Sequence, residues 1–283
     1  MTVPPPEPPS TPVCPRHPDR VSYVRCQRCE RPLCVECQRP APVGIQCVDC
    51  VAEQAARRRL VTPFGATIGS RVPYVTYAFM GLAVASFVLQ YAIGEAWEMA
   101  LMFFPVLGDA EPWRFLTAAF LHSRGGGLPL HILFNMYALW LVGTHLELAF
   151  GRFRYLALLL LSAIGGTVMV TLLAAPLSQD WFTGVLGASG AVFGLFGAML
   201  LVLRRLRLNA TSIMAVLGIN LVLGFVVSGI SWQAHLGGLL VGLVLGGAYA
   251  RAPKKHQALV GWLAPLVVAV LLVAVTVAKY ASV

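Results

Sequence analysis

Long apolar runs dominate the chain. They fall at roughly 74–93, 130–147, 155–174, 187–203, 210–227, 232–250 and 258–278. Each is about the length of a membrane-spanning helix. The run at 232–250 is the least apolar, because it holds Gln233 and His235. Short polar segments rich in Gly, Pro and Arg separate the runs. The pattern predicts an all-α polytopic membrane protein. Ahead of it stands a small polar segment dense in cysteine.

Composition agrees: 58% of residues are hydrophobic and only 12% are charged, whereas a soluble domain carries about a quarter charged residues. The charges are sorted. Arg57, Arg58, Arg59 and Arg71 precede the first run. Arg152 and Arg154 follow the second, Arg204, Arg205 and Arg207 the fourth, and Arg251, Lys254 and Lys255 the sixth. If the runs alternate in direction, all of these fall on one side. Arg114, Arg124 and Lys279, with Glu95, Glu98, Asp109 and Glu111, fall on the other. The positive-inside rule then predicts a multi-pass protein of the cell membrane with its N-terminus cytoplasmic and its C-terminus outside. Topology therefore accounts for the net charge of +9, and no nucleic-acid partner is implied. Residues 1–12 are Pro-rich with one Glu and no apolar core, which predicts a disordered tail rather than a signal peptide.

All seven cysteines lie in 14–50, paired as Cys14-x-x-His17, Cys26-x-x-Cys29, Cys34-x-x-Cys37 and Cys47-x-x-Cys50. Eight ligands suffice for two tetrahedral Zn²⁺ sites, and the two-residue gap turns both members of a pair towards one ion. An odd cysteine count on the reducing side of a membrane argues against disulfides. The spacing resembles the B-box type of treble-clef zinc domain. That resemblance implies a cross-brace, with Cys14, His17, Cys34 and Cys37 on one ion and Cys26, Cys29, Cys47 and Cys50 on the other. Sequential pairing remains the alternative. Four ligands per ion leave no open position, so the zinc is expected to be structural. The segment is expected to meet a cytosolic partner or a substrate tail, with a purely structural role as the alternative. The expected organisation is a tail over 1–13, a zinc domain over 14–50, a basic linker over 51–72 with a short helix at 52–60, a six-helix core over 73–250, and a loop and extra helix over 251–283.

Inside the apolar runs a few polar residues stand out, and polar groups in hydrocarbon mark function. Ser189 lies in Gly187-Ala188-Ser189-Gly190 and His235 in Ala234-His235-Leu236-Gly237-Gly238. His131 and Asn135 share one helix face, four residues apart. In the alternating topology these four residues fall at similar depth, about one turn below the outer surface. A hydroxyl and an imidazole meeting there predict hydrolysis within the membrane by a Ser–His pair. Gly187, Gly190, Gly194 and Gly197 in one run, and Gly238, Gly242 and Gly246 in another, predict close helix approach.

Residues 74–250 resemble the rhomboid intramembrane serine proteases. The resemblance is carried by Gly-x-Ser-Gly at 187–190 and by Ala234, His235 and Gly242. It is carried also by His131 and Asn135 in His-x-x-x-Asn, by Trp113-Arg114, and by Glu147 with Gly151, Arg152 and Arg154. It implies Ser189 as nucleophile and His235 as base, with His131, Asn135 and the Ser189 backbone N–H as oxyanion donors. It implies single-span membrane-protein substrates in the lipid bilayer, entering beside 210–227. Phe193 stands where several members have Tyr, and the seventh helix lies beyond the six-helix core. A relative that binds membrane helices without cutting them is the alternative. Trp113 and Arg114 are expected to anchor the outer interface as an aromatic–cation pair, and His122 and His145 to face water.

Overall fold

The computed structural model describes residues 11–57, 61–67, 72–125, 129–227 and 229–283. Nearly all of the expected tail, Arg58, Arg59, Arg71 and one residue of the 227–231 link lie outside these. Two compact units, Met1–Leu60 and Val61–Val283, divide the chain.

In the first unit, β1 (Val13–Cys14) and β2 (His17–Val21) form a hairpin with Cys14 opposite His17. A second hairpin pairs β3 (Gln38–Pro40) with β4 (Ile45–Cys47), with Gln38 opposite Cys47. Helix α1 (Val48–Arg57) follows at once. It starts inside the fourth cysteine pair, so it belongs to this unit rather than to a linker and begins earlier than the expected 52. The buried apolar cluster of this unit consists of cysteines and one aliphatic residue, Leu33.

The second unit is helical. Its elements are α2 (Tyr74–Ile93), α3 (Glu95–Leu101), α4 (Arg114–Thr117), α5 (Leu130–Ala138), α6 (Thr144–Phe150), α7 (Arg152–Leu173), α8 (Gln179–Phe182), α9 (Ser189–Arg205), α10 (Thr211–Val226), α11 (Trp232–Arg251) and α12 (Gln257–Ala281). A π turn over Leu139–Gly143 joins α5 to α6 and shifts the phase of the side chains across it. Among the described residues five helices are long and apolar enough to cross a membrane: Tyr74–Ile93, Leu130–Phe150, Arg152–Leu173, Trp232–Arg251 and Lys254–Ala281. The apolar helices α9 and α10 are shorter, at 17 and 16 residues.

Helices α7, α9 and α11 form the centre, and glycine sets their spacing. A Cβ on Gly238 would overlap the carbonyl oxygen of Gly190, one on Gly242 that of Gly194, and one on Gly246 would come within 2.5 Å of the Ala198 Cα. Backbone thus lies on backbone along the α9–α11 seam, the small-residue packing expected where lipid gives no hydrophobic drive. At the opposite end of α2, Glu147 is 2% exposed. Its carboxylate accepts from the backbone N–H groups of Val75 (3.0 Å) and Thr76 (2.8 Å) and from the Thr76 hydroxyl (2.8 Å). A remote anion thereby satisfies the orphan donors of a helix N-terminus that has no cap of its own. Glu147→Ala is expected to cost about 3 kcal/mol, read as a lower Tm in detergent micelles.

Candidate functional site

Two segments meet at the start of α9. Phe103 and Val185 pair through both backbone groups, Phe103 N–H to Val185 O (3.1 Å) and Val185 N–H to Phe103 O (2.8 Å). Gly187 N–H donates to Ala118 O (2.9 Å). The chain is thus led into α9 along the loop that follows α3. Gly187 has φ +123°, and a Cβ there would lie 3.0 Å from His131 Nε2 and 3.8 Å from Ser189 Oγ. Only glycine fits, and the same construction puts the His131 imidazole and the Ser189 hydroxyl both within 3.8 Å of that one point. Helix α9 opens at Ser189 with no side-chain cap, so its first backbone N–H groups stay free to bind an anion.

His131 Nδ1 accepts the backbone N–H of Ser123 (3.0 Å). The neutral ring therefore carries its proton on Nε2, the nitrogen that faces Gly187. Asn135 Nδ2 donates to the His131 carbonyl (2.8 Å), leaving one amide hydrogen for another acceptor. His235 sits in the first turn of α11, where the Ser231 hydroxyl caps the helix by accepting from Ala234 N (3.3 Å). Phe193 stacks on the His235 ring at 4.0 Å and 11°. The Gly190–Gly238 contact, with a Gly190 Cβ that would lie 3.4 Å from the Ala234 carbonyl oxygen, brings the first turns of α9 and α11 together. His235 Nδ1 is buried without a partner among the described residues. Among the described residues the Ser189 hydroxyl and the His235 imidazole form no hydrogen bond with each other.

Three further residues support this site, and expectation missed the role of each. His122 does not face water. It is fully buried, 5.2 Å from the His131 ring, with both ring nitrogens unpartnered among the described residues. Gln90 clamps its backbone, donating to His122 O and accepting from His122 N–H, each at 2.9 Å. A buried Gln within an apolar run is itself the signal that marks such a clamp. Arg114 is buried rather than interfacial. It donates to the carbonyls of Met99 (2.5 Å) and Met102 (2.7 Å) and pairs with Glu111, stapling the loop between α3 and α4. Trp113 is half exposed and bonds Ala100 O instead (3.4 Å). His145 is exposed.

Burial pushes the His122 imidazole down to about 3, with His131 adding to the effect, so the buried ring is neutral. A depressed histidine contributes stability that is present above its unfolded pKa near 6.5 and is lost as pH falls towards the folded value. Acidification to pH 5 is expected to cost about 2 kcal/mol through this group. Thermal unfolding at pH 7 and pH 5 checks it: His122→Phe should show the smaller acid-induced fall in Tm.

In the first unit, Cys14, His17, Cys34 and Cys37 gather within 4.8 Å of one another, and so do Cys26, Cys29, Cys47 and Cys50. These are the first and third pairs, and the second and fourth. His17 Nδ1 faces the sulfurs of Cys34 (3.2 Å) and Cys37 (3.4 Å), while its Nε2 lies 3.8 Å from Glu36. A carboxylate behind a ligating imidazole fixes the tautomer. Arg31 Nε donates to Cys29 Sγ (3.3 Å). The thiols are pulled apart in acidity. Hydrogen bonding from the Cys34 backbone holds Cys14 low, against burial. For Cys26, burial pushes up and the backbone N–H groups of Cys29, Cys47 and Arg28 outweigh it. Hydrogen bonding with Cys47, then burial, pushes Cys50 up. Crowded sulfurs that cannot all ionise unaided are the donor set a soft divalent cation neutralises. Each cluster can hold a metal ion.

A polytopic helical protein whose central helices pack glycine on glycine, with Ser189 and His235 in the first turns of two of them, is the class these features define. The family model described as Rhomboid domain matches residues 109–252. The chain is 35% identical over 181 residues to the rhomboid protease GluP of Bacillus subtilis, covering 60% of this chain and 34% of that protein. It is 36% identical over 149 residues to RHOMBOID-like protein 4 of Arabidopsis thaliana, covering 50% and 34%. It is 35% identical over 156 residues to the putative rhomboid protease YdcA of Bacillus subtilis, covering 53% and 73%. The chain belongs to the rhomboid family. It spans about a third of the length of the first two of these relatives.

Proposed function

We propose that this protein is an intramembrane serine endopeptidase that cuts single-span membrane proteins near the outer face. The observation that carries the reading is Ser189 at an uncapped helix N-terminus, with the protonated Nε2 of His131 against Gly187 two residues before it and the His235 ring stacked on Phe193, one turn further along the same helix. In this reading His235 takes the Ser189 proton as the hydroxyl attacks the peptide carbonyl, then returns it to the leaving amine. Water hydrolyses the acyl-enzyme by the same route. The Ser189 N–H, His131 Nε2 and the second Asn135 amide hydrogen stabilise the oxyanion. Among the described residues no polar group bonds His235 Nδ1, so the pair works without a third polar member, and Phe193 stacking orients the ring.

The same reading sets six spans plus α12 in the cell membrane, with the N-terminus cytoplasmic. The first unit then holds two structural Zn²⁺ ions, one in each cluster, and meets a cytosolic partner or a substrate tail. Names of relatives that include "protease" support the activity. A fluorophosphonate probe is expected to label wild-type protein in membranes and not Ser189→Ala, with cleavage of a reconstituted model substrate lost in parallel. Failure of both labelling and cleavage would favour a relative that binds helices without cutting them.

A further inference from the structure

A groove of about 590 Å³ runs between α12, α7 and the segment from Gly108 to Phe115. We propose that it holds one acyl chain of a membrane glycerophospholipid, and that this chain is a structural part of the protein's outer half.

The walls are apolar: Phe115, Ile164 and Val168 on one side, Ala269 and Val273 on the other, with Tyr280 at one end. Among the described residues Asp109 is the one charged lining residue and is exposed, its Oδ1 accepting from the Ala110 N–H (2.9 Å); the other nearby polar groups are engaged within the protein. Tyr280 Oη donates to Pro105 O (2.6 Å), Thr276 Oγ1 to Leu272 O (2.7 Å) and Lys279 Nζ to Leu172 O (3.4 Å). Such a space has too few free donors and acceptors to keep water. Helix α12 is tied at both ends. Gln257 Nε2 donates to Pro63 O (2.9 Å) at the start, and Tyr280 is fixed at the finish. Between these ties only Gly261 and Val268 are buried, while Val273 and Val277 are 63% and 61% exposed. The groove is therefore open sideways to lipid.

Length selects the occupant. The α12 residues that line it run from Ala269 to Ala281, about 18 Å at 1.5 Å per residue. That is close to one leaflet of a hydrocarbon core about 30 Å thick. A transmembrane helix of a substrate or of a second copy needs the whole thickness, whereas one acyl chain needs half. The groove also backs the candidate active site. Phe115 and Val168 share an apolar cluster with Ala234, the residue before His235. A chain filling the groove supports the wall on which that histidine rests.

The test uses the full-length protein in phosphatidylcholine vesicles doped with a phosphatidylcholine bearing a diazirine on one acyl chain. After irradiation, labelled residues are mapped by peptide mass spectrometry. Labelling on α7 and α12 along the groove is expected to exceed that on the exposed face of α2 (Leu82, Val88) several-fold. Ala269→Trp or Val273→Trp should remove the excess, and Leu271→Trp, on the outward face of α12, should not. Even labelling of all lipid-facing helices in the wild type, or an excess that survives both groove substitutions, would overturn the proposal. The readout needs no hydrolysis, so it stands or falls separately from the protease reading.

Discussion

Ser189→Ala is expected to lower the rate of substrate cleavage by at least about 10⁴-fold, and His235→Ala by a similar factor. The double variant should be no slower than either single one. A nucleophile and its base act as a unit, so losing one disables the other. Additive losses would instead mean that the two residues serve separate steps, and the pairing would be wrong. The oxyanion donors should be graded. His131→Ala removes a donor whose proton is fixed on Nε2 by Ser123, and a loss of about 10²–10³-fold is expected. Asn135→Ala should cost less, because one of its two amide hydrogens is already spent on the His131 carbonyl. Phe193→Ala should leave Ser189 labelling by a fluorophosphonate detectable and slow it, since the ring positions His235 and takes no part in bond changes. Labelling rate constants in proteoliposomes, with cleavage measured beside them, separate these outcomes.

The residues that were legible in the sequence are those whose chemistry is local. Hydrophobic length marks the spans, because lipid demands it whatever the tertiary fold. Ser189, His131 and His235 stand out because a polar side chain in hydrocarbon is costly anywhere. The cysteine pairs announce themselves by a two-residue spacing that suits two ligands of one ion. The Gly190–Gly238 and Gly194–Gly242 contacts follow from small residues repeated along two helices. What sequence reading missed depends on contacts distant in the chain. Glu147 reads as a residue at a helix end, yet it caps α2 from 72 positions away. Arg114 reads as an interfacial cation, and its burial depends on the carbonyls of Met99 and Met102 turning towards it. His122 reads as a loop histidine facing water until Gln90 folds it under the loop. Helices α3, α4 and α8 are too short for any period to show.

Removing metal from the first unit should unfold it. Its buried cluster is thiol apart from Leu33, so apolar burial supplies little and ion binding must supply the rest. For structural zinc that contribution is about 10–16 kcal/mol in small peptides near neutral pH. Freshly purified, reduced protein is expected to carry about two zinc ions per chain. A strong chelator should strip both and abolish hydrogen-exchange protection in the two hairpins. A zinc content near zero in the starting material would defeat the assignment. Paired substitutions then decide which ligands share an ion. In the observed grouping, Cys14→Ser with Cys34→Ser damages a single cluster, and one zinc should remain. Cys14→Ser with Cys26→Ser damages both, and none should remain. If the first and second cysteine pairs instead shared one ion, the two results would be exchanged. The cross-brace also predicts that losing either ion loosens both hairpins, since each cluster draws its ligands from segments on either side of a ligand of the other.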